Sequence, residues 1–170
     1  GLEDSTSVFE KVDEEFGKTT GRHYGTLAAY AVDDAEVVLI AAGSLCGSIR
    51  AVVDELRERG GRVGLVSVKL FRPFPGKRLA EMLRGAKAVG VLDRALCPGA
   101  GGGPLYTDTL VALHTAGQRQ PLVNFIGALG GRDLPPSDIR GMFDELERVA
   151  EEGHVDRPVK CVGLRERAGS

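Results

Sequence analysis

The chain has 170 residues, 42% hydrophobic and 27% charged, with 22 basic against 24 acidic side chains and a formal net charge of −2. One domain of this size buries a real core. The near-neutral balance gives no electrostatic ground for a nucleic-acid or anionic-membrane partner, and no apolar stretch approaches the ~20 residues that span a bilayer. The chain begins at Gly1 with no apolar signal-peptide core behind it, and is expected to be a cytoplasmic piece of something longer.

Ser7 and Glu10 have capping-box spacing, and Val8, Val12 and Phe16 follow at four-residue intervals, which predicts a short amphipathic helix ending at Gly17. Residues 24–32 read as an extended lead-in that packs on the domain behind it. From Glu36 the pattern becomes regular. The run Val37-Val38-Leu39-Ile40-Ala41-Ala42 is apolar at every position, as in a strand covered on both faces. A helix with Ile49, Val52, Val53 and Leu56 on one stripe comes next and closes at Gly60-Gly61. Residues 62–70 form a second strand, followed by Phe71-Arg72-Pro73-Phe74-Pro75 and a helix bearing Leu79, Met82 and Leu83.

A third strand at 88–92 runs into a loop almost without side chains, Cys97-Pro98-Gly99-Ala100-Gly101-Gly102-Gly103, and Pro104 opens the next helix at the position where a missing N–H costs nothing. Residues 122–126 are the fourth strand. Ser137 is expected to cap the longest helix, with Ile139, Met142, Phe143, Leu146, Val149 and Ala150 on one face. A short strand at 159–162 precedes a charged tail. The expected fold class is therefore α/β: three layers, α/β/α, around five mostly parallel strands. Its divisions are a linker helix and lead-in at 1–35, the α/β domain at 36–164 and the tail at 165–170. Right-handed crossovers would bring the loops at 43–47, 71–75, 93–103 and 127–133 to one edge, where open α/β sheets bind ligands.

The candidate residues on that edge, for an interface or a ligand, are Arg72, Asp93, Arg94, Gly101, Gly102, Gly103, Arg132 and Asp133. A glycine-rich loop lets a phosphate, a backbone or a neighbouring subunit come close, and equally serves as a tight turn. The dinucleotide fingerprint fails because Pro104 stands where its last glycine belongs. No G-x-x-x-x-G-K-[ST] loop is present. Cys97 sits beside Arg94 but has no histidine near it in sequence, which argues for a small apolar thiol next to Pro98 over a nucleophile. For the charged groups, internal pairing that ties the two glycine loops is favoured over ligand binding. Arg72 has the geometry to clamp a carboxylate or phosphate, or to stack on its neighbours or pair across a subunit contact. Cys46, Cys97 and Cys161 are widely spaced without a C-x-x-C pair, so no cluster or structural zinc is signalled. The scattered His23, His114 and His154 do not make a ligand set.

Taken in order, Phe71-Arg72-Pro73-Phe74-Pro75, the run from Val91-Leu92-Asp93-Arg94 to Pro104-Leu105-Tyr106, and Asn124-Phe125-Ile126-Gly127-Ala128-Leu129-Gly130-Gly131-Arg132-Asp133 resemble the 2-oxoacid:ferredoxin oxidoreductases, most narrowly the pyruvate:ferredoxin (pyruvate synthase) branch. The similarity extends from about Val8 to Ile139. It implies a transketolase C-terminal-like domain of an alpha subunit. The complete enzyme would use thiamine diphosphate, Mg, [4Fe-4S] clusters and coenzyme A, with ferredoxin as its partner. None of those cofactors is carried onto this chain by the resemblance, since thiamine is held by two other domains. The expectation is a structural domain, inactive alone, that contacts other domains or subunits. A freestanding phosphate- or small-molecule-binding module and the matching domain of transketolase-like enzymes are the rival readings.

Overall fold

The computed structural model describes residues 1–163; the charged tail expected at 165–170 lies outside them. Helix α1 (Leu2–Thr20) is followed by strand β1 (Leu27–Tyr30), β2 (Val37–Ala42), α2 (Leu45–Glu58), β3 (Val63–Val68), α3 (Gly76–Met82), β4 (Ala88–Asp93), α4 (Pro104–Thr115), β5 (Leu122–Ile126), α5 (Pro136–Glu152) and β6 (Val159–Cys161). The strands form one sheet in the order β1-β3-β2-β4-β5-β6. The five strands read from the sequence run parallel, and β1 adds a sixth, antiparallel to β3 with Leu27 opposite Val68. Residues 27–30 therefore belong to the sheet and not to a lead-in. Their alternating burial lacks the continuous apolar signal of the inner strands, because an edge strand is covered less completely.

Two helix starts differ from expectation. α1 already runs from Leu2, so Ser7 lies inside it, and its stripe of Val8, Val12 and Phe16 is exposed. α1 is also the longest helix, at 19 residues against 17 for α5. α5 begins at Pro136, with Pro135 in the cap position and no side-chain cap, so Ser137 falls within its first turn.

The core has two layers. Ile49, Val52 and Val53 of α2 pack with Phe143, Leu146 and Val149 of α5 against Leu39, Leu65, Leu92 and Phe125 on one face. Leu79 of α3 and Leu83 just after it, with Leu105 and Leu113 of α4, pack on Ile40, Val66, Val89 and Val91 on the other. The strand order and the helix faces together fix the hand of each crossover. The connections through α2, α3 and α4 share one hand. The last does not, because the chain continues outward from β5 to β6 but passes on the α2 side. The expectation of one hand throughout is thus corrected. α3 and α4 already cover their face, whereas α2 alone would leave the opposite side of β2 and β4 exposed, and α5 covers it.

Gly90, at the centre of β4, sets how closely α5 approaches. A Cβ there would lie 2.8 Å from Leu146 Cδ1, 2.9 Å from Leu39 Cδ1 and 3.0 Å from Phe125 Cε2. Gly90→Ala is expected to destabilise the chain by about 1–3 kcal/mol through overpacking, measured by urea unfolding.

At the opposite edge of the sheet from the glycine loop, Glu36 accepts from Arg62 at 2.6 Å and from Lys87 at 2.9 Å. Lys87 chiefly holds its carboxyl below the 4.5 of a free glutamate. A depressed folded value means stability that is present above 4.5 and lost as pH falls through the folded value. Glu36→Gln is expected to flatten the acid limb of stability against pH, followed by urea midpoints measured downward from about pH 6.

Candidate functional site

The last residue of β4, Asp93, is only 4% exposed. Its Oδ1 accepts the backbone N–H of Leu105 at 2.9 Å, and its Oδ2 that of Tyr106 at 3.0 Å. These N–H groups belong to the first turn of α4, whose cap position is Gly103, a residue with no side chain to cap it. Asp93 thus caps the helix from the neighbouring strand, placing a carboxylate where the free amides and the helix dipole favour one. Asn124, in the middle of β5, completes the network. Its Nδ2 donates to Asp93 Oδ2 at 3.0 Å and to the Val91 carbonyl at 3.2 Å, while its Oδ1 accepts the Gly103 N–H at 2.7 Å. Burial pushes the Asp93 carboxyl above the ordinary aspartate range, against the pull of its three N–H donors.

This packing explains two of the glycines. A Cβ on Gly103 would lie 2.3 Å from Asp93 Cγ, and one on Gly102 would lie 2.6 Å from Tyr106 Cδ1 and 2.8 Å from Asn124 Oδ1. Gly101 has nothing within 4 Å, and Gly99 turns the loop at φ 78°. The backbone also closes on itself, with Ala100 N donating to Cys97 O at 3.0 Å and Thr107 N to Gly103 O at 3.0 Å.

The charged candidates do not pair as expected. Asp93 meets amides instead of arginines, because it points inward while Arg94, Arg132 and Asp133 are exposed. The two glycine loops are tied by a backbone bond, Gly127 N to Asp93 O at 3.0 Å. Arg132 donates to the Gly163 carbonyl. Arg72 lies over the Phe71 ring, 4.1 Å from its centroid, and donates to Asp108 Oδ2 of α4 at 2.6 Å. Its stacking was one of the expected alternatives. The pairing is internal to the chain.

Asn124 and Asp108 were not singled out in the sequence. A lone amide in Leu122-Val123-Asn124-Phe125-Ile126 was the available signal, since a buried polar side chain in an apolar strand needs partners. The Gly17-Lys18-Thr19 triplet is no phosphate loop: it lies near the C-terminal end of α1, and Val12 stands where the motif's first glycine belongs.

Comparison with known proteins places this geometry. The model of the family described as pyruvate:ferredoxin oxidoreductase core domain II matches residues 35–139. The chain belongs to that family. It is 43% identical over 168 residues to the pyruvate synthase subunit PorA of Thermotoga maritima, covering 97% of this chain and 41% of the relative. It is 37% identical to the ketoisovalerate oxidoreductase subunit VorA of Pyrococcus abyssi, over 96% of this chain and 41% of that one. It is 36% identical to the alpha subunit of the NADH-dependent phenylglyoxylate dehydrogenase of Aromatoleum evansii, over 98% of this chain and 40% of that one. The chain thus spans about two fifths of the length of these relatives. A solved 2-oxoglutarate:ferredoxin oxidoreductase from Magnetococcus marinus superposes with TM-score 0.53 at 18% identity, covering 75% of this chain and 20% of that one. A split-gene transketolase superposes with TM-score 0.53 at 13% identity, covering 78% and 44%. The fold of a core-domain-II protein is therefore shared with transketolase.

Among the described residues no three His, Cys, Asp or Glu side chains converge on a metal position. Of the three cysteines, Cys46 is buried, Cys97 half-buried and Cys161 exposed, and all are free. Among the described residues no helix is long and apolar enough to cross a membrane.

Proposed function

We propose that this chain is the non-catalytic assembly domain of a thiamine-diphosphate-dependent 2-oxoacid:ferredoxin oxidoreductase, which oxidatively decarboxylates a 2-oxoacid, pyruvate first among them, to an acyl-CoA and reduces ferredoxin. Thiamine diphosphate, Mg, the clusters and coenzyme A would be held by other domains or subunits. The carboxyl edge of the sheet, with Arg72, Asp93, Arg94, Gly101, Gly102, Gly103, Arg132 and Asp133, would face them. The observation that carries the reading is the use of the glycine loop. Its anion-binding positions, the first amides of α4, are taken by the chain's own Asp93, which leaves no place for a phosphate there. This disfavours the phosphate-binding module. The relatives support it from another side: proteins named for pyruvate, ketoisovalerate and phenylglyoxylate match this chain at 43%, 37% and 36%.

The test is an assay with pyruvate, coenzyme A, thiamine diphosphate, Mg and a viologen acceptor. The isolated chain is expected to give no turnover, and the complete enzyme containing it to turn over. Turnover by the isolated chain would sink the assignment.

A further inference from the structure

We propose that the loop after β5, residues 127–133, is an oxyanion site that takes the phosphoryl group of a small phosphate ester. The site goes beyond the assembly role and lies on a different loop from the one Asp93 fills. It stands or falls separately from the oxidoreductase reading.

The backbone of this loop departs from the ordinary in two ways. Ala128 has φ 53° and ψ 33°, Gly130 has φ 61° and Gly131 φ 76°, while Leu129 between Ala128 and Gly130 has a negative φ. An alanine at positive φ is uncommon, and residues held in such angles gather at ligand clamps. A φ that changes sign from one residue to the next turns successive N–H groups toward one side, and that concave arrangement of amides binds anions. The donors are also free. The N–H groups of Ala128, Leu129 and Gly130 reach no acceptor among the described residues, although Gly127 N donates to Asp93 O and Arg132 N to Leu129 O on either side of them. Leu129 and Gly130 are open to water. Ala128 is only 6% exposed, and a buried N–H without a partner is rare in a folded chain.

The surroundings fit the same ligand. Residues 128–133, with Val162 and Gly163, line a concavity of about 440 Å³ beyond the carboxyl ends of β5 and β6. Open α/β sheets hold small molecules at such ends, and the volume is that of a small-molecule site. Arg132 commits one guanidinium nitrogen to the Gly163 carbonyl, which holds it at this wall, and its remaining N–H groups can donate inward. Three amides and a guanidinium supply more donors than the two oxygens of a carboxylate accept, and they suit the three oxygens of a phosphoryl group. Leu129 and Val162 add an apolar wall for the body of the ester. Asp133 lies on the same wall and opposes an anion, so the affinity is modest and sensitive to that one charge.

The 170-residue chain carries its own control, because the amides of Leu105 and Tyr106 are closed by Asp93. The test titrates the isotope-labelled chain with inorganic phosphate and with phenyl phosphate at constant ionic strength, and follows the backbone amides by NMR. Ala128, Leu129 and Gly130 are expected to shift saturably with both probes, with phenyl phosphate bound about threefold or more tighter through its apolar body. Leu105 and Tyr106 are expected to stay in place. Arg132→Gln is expected to weaken phenyl phosphate about tenfold. That change also gives up the Gly163 bond, so Asp133→Asn, which breaks no hydrogen bond or ion pair among the described residues, tests the same field alone. It is expected to tighten binding about threefold, with thermal unfolding unchanged. Shifts that do not saturate, or that sodium chloride reproduces, overturn the proposal. So does phenyl phosphate bound no tighter than inorganic phosphate, or binding that Asp133→Asn leaves unchanged.

Discussion

Asp93→Ala is expected to lower the unfolding free energy of the chain by about 3–4 kcal/mol, because it strips three N–H donors of their acceptor at once. Leu105 and Tyr106 lose their only cap, and the Asn124 amide nitrogen is left with the Val91 carbonyl alone while its oxygen keeps the Gly103 N–H. The loss is smaller than three full charged hydrogen bonds because the carboxylate is itself costly to bury, as the upward displacement of its pKa records. Asp93→Asn is expected to cost about 2 kcal/mol, since an amide can accept from one of the two backbone donors but turns its NH₂ toward the other. The two variants separate geometry from charge. A folded pKa raised above 3.8 contributes stability that is fully present below that value and lost as pH rises through the folded pKa. The gap between the wild type and Asp93→Asn should therefore widen as pH falls from about 7 toward 4, opposite in sign to the trend from Glu36. Urea unfolding at several pH values measures both. A cost below about 1 kcal/mol for Asp93→Ala would show that water replaces the carboxylate freely.

The parallel core of this fold is legible residue by residue. Val37 through Ala41 read as a strand covered on both faces, and the i, i+3, i+4 stripe from Ile139 to Ala150 as a helix on a core, and the structure has both. What escapes the sequence is what depends on distance along the chain. The cap of α4 comes from a residue 12 positions upstream of the amide it binds, so a search for Ser, Thr, Asp or Asn beside Pro104 finds nothing. β1 is read as lead-in because Leu27-Ala28-Ala29-Tyr30 is short and half-covered, and only its pairing with β3 makes it a strand. The hand of the last crossover depends on which face still lacks a helix, a property of the assembled sheet and not of residues 136–161. At the site, the sequence brings the right residues to the right edge but mistakes the internal pairing. Asp93 and Arg94 are adjacent in the chain and face opposite environments, one buried among amides and the other in solvent.

The glycine loop offers the sharper test, because four glycines in five positions should respond in different ways. Gly103 sits at φ −76° and ψ 166°, angles that any residue adopts, so Gly103→Ala meets no backbone strain. Its whole penalty is the methyl group placed 2.3 Å from Asp93 Cγ, and Asp93 can retreat only by releasing Leu105 and Tyr106. A cost of about 3 kcal/mol is expected, at the upper end for overpacking. Gly102→Ala is expected to cost about 2 kcal/mol, since Tyr106 can rotate a little but the Asn124 amide cannot. Gly99→Ala is expected to cost about 1 kcal/mol, all of it from a positive φ with open space around it. Gly101→Ala, with nothing within 4 Å, should stay within about 0.5 kcal/mol. The decisive measurement is the double variant Gly103→Ala/Asp93→Ala, unfolded in urea beside both single variants. If the methyl acts by colliding with the carboxylate, removing the carboxylate makes room for it, and the double variant should be about 1–3 kcal/mol more stable than the sum of the single losses predicts. Strict additivity, or equal losses at Gly101 and Gly103, would mean that the loop is glycine-rich for a reason other than its contact with Asp93.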